Sequence, residues 1–229
     1  IPWESAHIFA PFVIEKGGKF YMLYSGDTQT KAQSIGLAVS DDLWTWTRCE
    51  FNPVFRPSRS WAFWDPKEGC SGRDPHVIYH PDYGYIMYFV ADMKHNPKQS
   101  AIGCAFSDNL VTWQDGGPVL VKNHSNLEAI ACKTESPFVL ERDGLWYLFY
   151  RHGNGTKFSI SDSPVDWTGR DTFYFGPCHA AEILTRGGQW YVTHCGRAPH
   201  DIEHKNHRSR GLYIAPMHWE GWRPVITAE

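Results

Sequence analysis

The chain has 229 residues and a formal net charge of −3, with 21% charged and 15% aromatic side chains. That balance excludes the basic footprint of a nucleic-acid binder and the polybasic patch of a membrane-surface protein. No apolar run approaches the roughly 20 residues of a membrane-spanning helix, and the length suits one sizeable all-β domain or two small ones. The opening Ile1-Pro2-Trp3-Glu4 carries no leader pattern, and secreted, periplasmic and cytoplasmic compartments are all compatible with it. The cysteines show no Cys-x-x-Cys spacing, and a chain of this size does not depend on disulfide staples. Cys104, Cys132 and Cys195, in or beside predicted strands, are expected to be buried thiols.

In chain order, the predicted strands fall into four copies of one hairpin. The first runs from His7 to Val13 and, past a Gly turn, from Gly18 to Ser25. The second joins Arg73–Ile78 to Gly84–Phe89, the third Glu135–Leu140 to Gly144–Tyr150, and the fourth His179–Leu184 to Gly188–His194. A hairpin recurring every 45 to 65 residues or so describes a radial array of small sheets. The position just before each apolar run changes chemistry from copy to copy, reading Ala10, Asp74, Glu135 and His179. Variation inside a constant frame marks where a site is built.

Each hairpin continues into a second landmark. Ile35 to Trp46 and Ile102 to Trp113 both read as a short apolar strand, a Ser-Asp turn, Leu and a closing Trp. Phe158 to Trp167 is a weaker third copy, and Gly211 to Trp219 a fourth remnant. The Ser or Asp oxygen is expected to cap backbone N–H groups in the turn, and the Trp to close the sheet edge. Outer segments such as Asn52 to Phe55 and Gly117 to Leu120 complete a four-stranded blade. Units fall at about 5–60, 61–122, 123–170 and 171–222 of a single domain spanning 1–229. Strands apolar on both faces suit sheets packed against neighbours, and no capped 3.6-residue period predicts a helix. A sandwich is the rival all-β arrangement, but sandwiches lack such self-similarity.

The openings Arg73-Asp74-Pro75 and Glu135-Ser136-Pro137, with Ser-Asp-x-Leu-x-x-Trp between units, resemble the five-bladed propeller glycosidases. These are glycoside hydrolase families 32, 43 and 68 and their relatives, and the resemblance covers nearly the whole chain. It implies an all-β propeller of the five-bladed type, with about four blades in this sequence. It also implies three axial carboxylates: a first-blade Asp as nucleophile or base, a third-blade Asp that stabilises and tunes, and a fourth-blade Glu as general acid. Asp74 matches the second of these and Glu135 the third. Ala10-Pro11 resembles the carboxylate-free opening of the second blade, while His179 and Asp171 to Phe175 resemble the fifth. The first blade, with its Asp, then has no match in this chain.

Elementary chemistry agrees with that assignment. Glycoside hydrolysis needs one protonated carboxyl at the leaving oxygen and one carboxylate across the anomeric carbon. Burial and a negative neighbour in Asp74 would keep Glu135 protonated, and Arg73 would hold Asp74 ionised. An isolated Asp-Pro or Glu-Ser-Pro is ordinary turn chemistry, so the assignment stands on placement in the repeat. Asp65-Pro66 lies in a Pro-rich connection and is set aside, and Glu182 is expected to alternate away from the axis. Arg73, His7 and His179 are candidate sugar contacts. Arg151, His194 and Arg197, at the ends of second strands, are further candidates. The His200 to His207 stretch fits no zinc spacing and reads as a loop.

The leading expectation is a glycoside hydrolase, or the larger part of one, cleaving a furanoside- or pentose-containing glycan. The alternatives are a carbohydrate-binding propeller without catalysis and a protein-interaction propeller. No cofactor or nucleotide is implied, since no Gly-rich phosphate loop is present. The resemblance allows a structural calcium at the axis, with no legible ligand set. The expected partner is a carbohydrate, with neither nucleic acid nor membrane.

Overall fold

The computed structural model describes residues 2–67, 69–96, 98–123, 134–196 and 211–227. After a 3₁₀ turn at Pro2–Glu4, the first sheet holds β1 (His7–Lys16), β2 (Lys19–Asp27), β3 (Gln33–Ser40) and β4 (Thr47–Arg48). A short pair follows, β5 (Trp64–Asp65) with β6 (Gly69–Cys70). The second sheet holds β7 (Arg73–His80), β8 (Gly84–Asp92), β9 (Gln99–Ser107) and β10 (Gln114–Asn123). The third holds β11 (Glu135–Arg142), β12 (Leu145–His152), β13 (Gly155–Ser161) and β14 (Phe173–Gly176). The fourth holds β15 (His179–Arg186), β16 (Gln189–Gly196), β17 (Gly211–Glu220) and β18 (Arg223–Ile226). Every sheet is an antiparallel meander from inner to outer strand, and the four are arranged as propeller blades. Among the described residues the one helical turn is Pro2–Glu4, and no helix is long and apolar enough to cross a membrane.

Local sequence explains the hairpins. Gly17-Gly18, Asp143-Gly144 and Gly187-Gly188 all have positive φ at both positions, which is the twist a two-residue strand connection requires. Gly18 and Gly144 donate their N–H groups back to Glu15 and Glu141 at 2.7 and 2.6 Å. The Ser-Asp turns cap as the sequence predicts. Ser40 Oγ accepts from the N–H groups of Asp42 and Leu43, and Asp42 Oδ1 from those of Trp44 and Thr45. Ser107 and Asn109 repeat the pattern, and Trp46, Trp113 and Trp167 each donate Nε1–H to the carbonyl three residues earlier.

The core lies between sheets, because both faces of each second strand are apolar. Leu23, Ile35 and Leu37 meet Val77, Met87 and Phe89 across the first interface. Ile86, Tyr88 and Ile102 meet Val139, Leu148 and Trp167 across the second, and Tyr147, Phe149 and Phe158 meet Ile183, Val192 and Met217 across the third. Trp3 covers the free face of the first sheet, lying over Tyr24, Gly26 and Gly36. Ile8 on the first sheet and Leu212 and Ile214 on the fourth are exposed.

Two strand assignments differ from the sequence reading. Phe173–Gly176 is the outer strand of the third sheet, paired with β13, rather than the opening of the fourth unit. The outer edge of the first sheet is split: Thr47–Arg48 pairs with β3, and Phe55 makes a separate bridge to Ile35. Asn52 spans the gap, its side chain bonding both N–H and C=O of Leu37 at 2.7 and 2.9 Å. Cys104 is buried as expected, Cys195 is half-buried, and Cys132 lies outside the described residues.

Candidate active site

The site is built by a defect repeated in every inner strand. Pairing between first and second strands skips between Phe9 and Phe12, Arg73 and His76, Glu135 and Phe138, and His179 and Glu182. Inside each skip one non-glycine residue is left-handed: Ala10 at φ 47°, Asp74 at 56°, Ser136 at 51° and Ala180 at 53°. These are β-bulges, which add a residue, bend the strand and re-aim its side chains. The register corrects the sequence alignment by one position. Asp74 is equivalent to Ala10, Ser136 and Ala180, whereas Glu135 is equivalent to Phe9, Arg73 and His179.

Equivalent positions of neighbouring blades meet at the axis, and three of them touch. Arg73 Nη2 donates to Glu135 Oε1 at 3.1 Å, and His179 Nε2 lies 3.4 Å from Glu135 Oε2. Arg151, directly opposite Glu135 in the β11–β12 ladder, donates Nη1–H to Oε2 at 2.8 Å. Asp74 reaches the same cluster from the next residue. Its Oδ2 accepts the Ser136 N–H at 2.9 Å and stands 3.7 Å from Arg73 Nε, while its own N–H donates to Ser25 Oγ at 2.9 Å. The Asp74 and Glu135 side chains are 11% and 12% exposed, so these contacts act in a poorly solvated space.

Arg73 is the hub rather than a free sugar contact. Beyond the two carboxylates, its Nη1 donates to Ser71 Oγ at 2.8 Å and Gln33 Oε1 at 3.3 Å, and Ser71 in turn donates to Asp92 at 2.7 Å. Ser25, Ser71, Asp92 and Gln33 were missed by sequence reasoning. The comparison of second-strand ends that found Arg151 would also have found Asp27 and Asp92, had all copies been aligned. His76, two residues past Asp74, packs between Phe12 and Phe138, and its Nε2 donates to the Val139 carbonyl at 2.9 Å. Burial pushes its pKa down to about 4, which keeps it neutral at ordinary pH.

The remaining candidates lie elsewhere. His7 is 72% exposed and bound to Asp27, with its N–H and Nδ1 at 2.8 and 3.0 Å from Oδ1. His194 stacks on Tyr213 with ring centroids 5.6 Å apart, and Arg197 lies outside the described residues. Glu182, paired with Thr193 in the β15–β16 ladder, is exposed. No group of three or more His, Cys, Asp or Glu side chains among the described residues is placed to hold a metal ion.

Electrostatics reverses one expectation. Burial raises the Glu135 pKa, but His179 and the charges of Arg73 and Arg151 outweigh it, and the net position falls to about 2. Asp74 moves the other way, raised by burial and by the charge of Glu135 against the pull of Arg73 and the Ser136 N–H. In this arrangement Glu135 is the ionised carboxyl and Asp74 the one that holds a proton more readily.

Blades of four antiparallel strands around a charged axis, with two carboxyls meeting on a buried arginine, define a propeller of the glycoside-hydrolase kind. The family model of glycosyl hydrolases family 43 matches residues 1–223, and the chain belongs to that family. A thermostable family-43 glycoside hydrolase superposes with a TM-score of 0.74 at 18% identity, over 99% of this chain and 77% of its own. An exo-1,5-α-L-arabinanase from a bovine ruminal metagenomic library gives 0.64 at 18% identity, over 99% and 80%. The Bombyx mori family-32 β-fructofuranosidase gives 0.71 at 16% identity, over 98% of this chain and 51% of its own. At such identities these neighbours establish the fold alone. A search of curated proteins found no match.

Proposed function

We propose that the chain is the larger part of a glycosidase that cleaves a furanoside- or pentose-containing glycan, with Glu135 as proton donor and Asp74 as stabilising carboxyl. The observation that carries this reading is the convergence of both carboxyls on Arg73 from neighbouring blades. Family membership supports the reaction class, and the neighbours named as an arabinanase and a β-fructofuranosidase support the substrate class. The nucleophile or base would come from a further sheet seated against the exposed apolar residues of the first and fourth blades, on the same polypeptide or another. Its carboxylate would compete for the arginines and raise Glu135 toward the range a general acid needs. His179 and Arg151 would orient Glu135, and His7 and His194 would reach a sugar only from outside the carboxyl cluster.

A panel of aryl furanosides and pyranosides with leaving groups of graded acidity, assayed with the sheet that supplies the nucleophile or base present, tests the roles. Glu135→Ala should lose most activity on poor leaving groups and little on activated ones, because only the former need a proton. Equal loss on both removes Glu135 from the acid role. The double-arginine hold on Glu135 supports a second reading, a sugar-binding propeller without catalysis. That reading predicts no turnover of any aryl glycoside together with measurable binding of free sugar.

A further inference from the structure

The outer rim of the second blade carries a groove of about 550 Å³ that the axial chemistry does not use. Tyr83, from the β7–β8 turn, lies over Phe106 with ring centroids 5.8 Å apart and remains 42% exposed. Asp108, Asn109, Trp113 and Gln114, from the capped turn and the start of β10, complete the lining. The groove sits at the far end of β7 from Asp74. Seven residues of extended strand separate the two, roughly 20 Å.

Three features set this place apart from its copy on the first blade. There, Asp41 is paired to Lys19 at 2.8 Å. The register puts Gly84 at the position of Lys19, so Asp108 has no such partner, and Lys16 bonds only its backbone carbonyl. The side chains of Asp108, Thr112 and Gln114 make no hydrogen bond or ion pair among the described residues. Beyond Trp113 and Thr112 the groove continues into a second of about 320 Å³, walled by Phe51, Pro53 and Val54, with Phe51 exposed.

We infer that this rim is an auxiliary binding track for a linear oligosaccharide arm of a polymeric substrate. Flat rings accept the C–H faces of sugars, while the free carboxylate, amide and hydroxyl accept and donate to ring hydroxyls. One carboxylate with no basic cluster gives no affinity for phosphate or polyanions. Two joined troughs on either side of one Trp fit a run of sugar units rather than a single one. The choice of polymer rests on the proposed function; the existence of the track does not.

Native affinity electrophoresis through gels holding soluble arabinan, arabinoxylan or fructan tests this. The wild-type chain should be retarded by at least one of them. Tyr83→Ala combined with Gln114→Ala should weaken retardation roughly tenfold, with an unchanged thermal midpoint. Glu135→Gln should be retarded as strongly as wild type, which separates the rim from the axial site. Failure of the wild-type chain to be retarded, wild-type behaviour of the double variant, or loss of retardation in Glu135→Gln would each overturn the inference.

Discussion

Replacing Arg151 by Gln isolates the force that keeps Glu135 ionised. In the native chain the Glu135 pKa drops from its ordinary 4.5 to about 2, and such a drop is worth roughly 3 kcal/mol. Its folded pKa lies below its unfolded one. Its stabilisation is therefore complete above pH 4.5 and disappears as pH falls through about 2. Arg151 contributes the 2.8 Å contact, and an opposite charge at such range typically lowers a carboxyl by about 1–3 units. In Arg151→Gln the Glu135 pKa should rise to about 3.5, and its contribution should shrink to about 1 kcal/mol. Asp74 has the opposite sign: being raised, it stabilises below its ordinary 3.8 and loses that contribution as pH rises through its folded pKa. Carboxyl-¹³C NMR titration of Glu-labelled protein reads Glu135 directly, and urea midpoints from pH 2.5 to 7 read the linkage. A Glu135 resonance that titrates at the same pH with and without Arg151 would refute the argument.

Other outcomes follow from packing. Leu110→Ala should cost about 2–4 kcal/mol and Leu43→Ala less than about 1, because the same turn position is fully buried in the second blade and 48% exposed in the first. Gly26→Ala or Gly36→Ala would set a methyl 2.5 Å from the Trp3 ring, so each should lower the unfolding free energy measured in urea by about 1–3 kcal/mol and alter Trp fluorescence. Asn52→Ala leaves both backbone groups of Leu37 without their side-chain partner and should cost about 1–3 kcal/mol in chemical denaturation. Ala180→Gly relieves a left-handed alanine, so its thermal midpoint should equal or exceed that of wild type.

The repeated frame was legible because its signals are local. Gly17-Gly18 and Asp143-Gly144 declare their turns, and the Ser40 and Ser107 turns are capped by side chains two or three residues away. The offset between Asp74 and Glu135 was not legible, because it depends on where a ladder skips, and a skip is settled by pairing across strands. Arg73 illustrates the same limit. Beside Asp74 in sequence it reads as that residue's partner, yet its closest carboxylate is Glu135, 62 positions away. The Phe173–Gly176 strand was placed in the wrong unit because a run of three aromatics suits an outer strand as well as an opening.

Straight β-ladders send neighbouring side chains to opposite faces, so a regular innermost strand could offer the centre only one of any two consecutive groups. The left-handed kink at residue 74 breaks that rule, letting a guanidinium and the very next carboxyl serve one spot. Loss of a single amino acid there would restore strict alternation and swing one of the two charges out of reach, with most of the blade left intact.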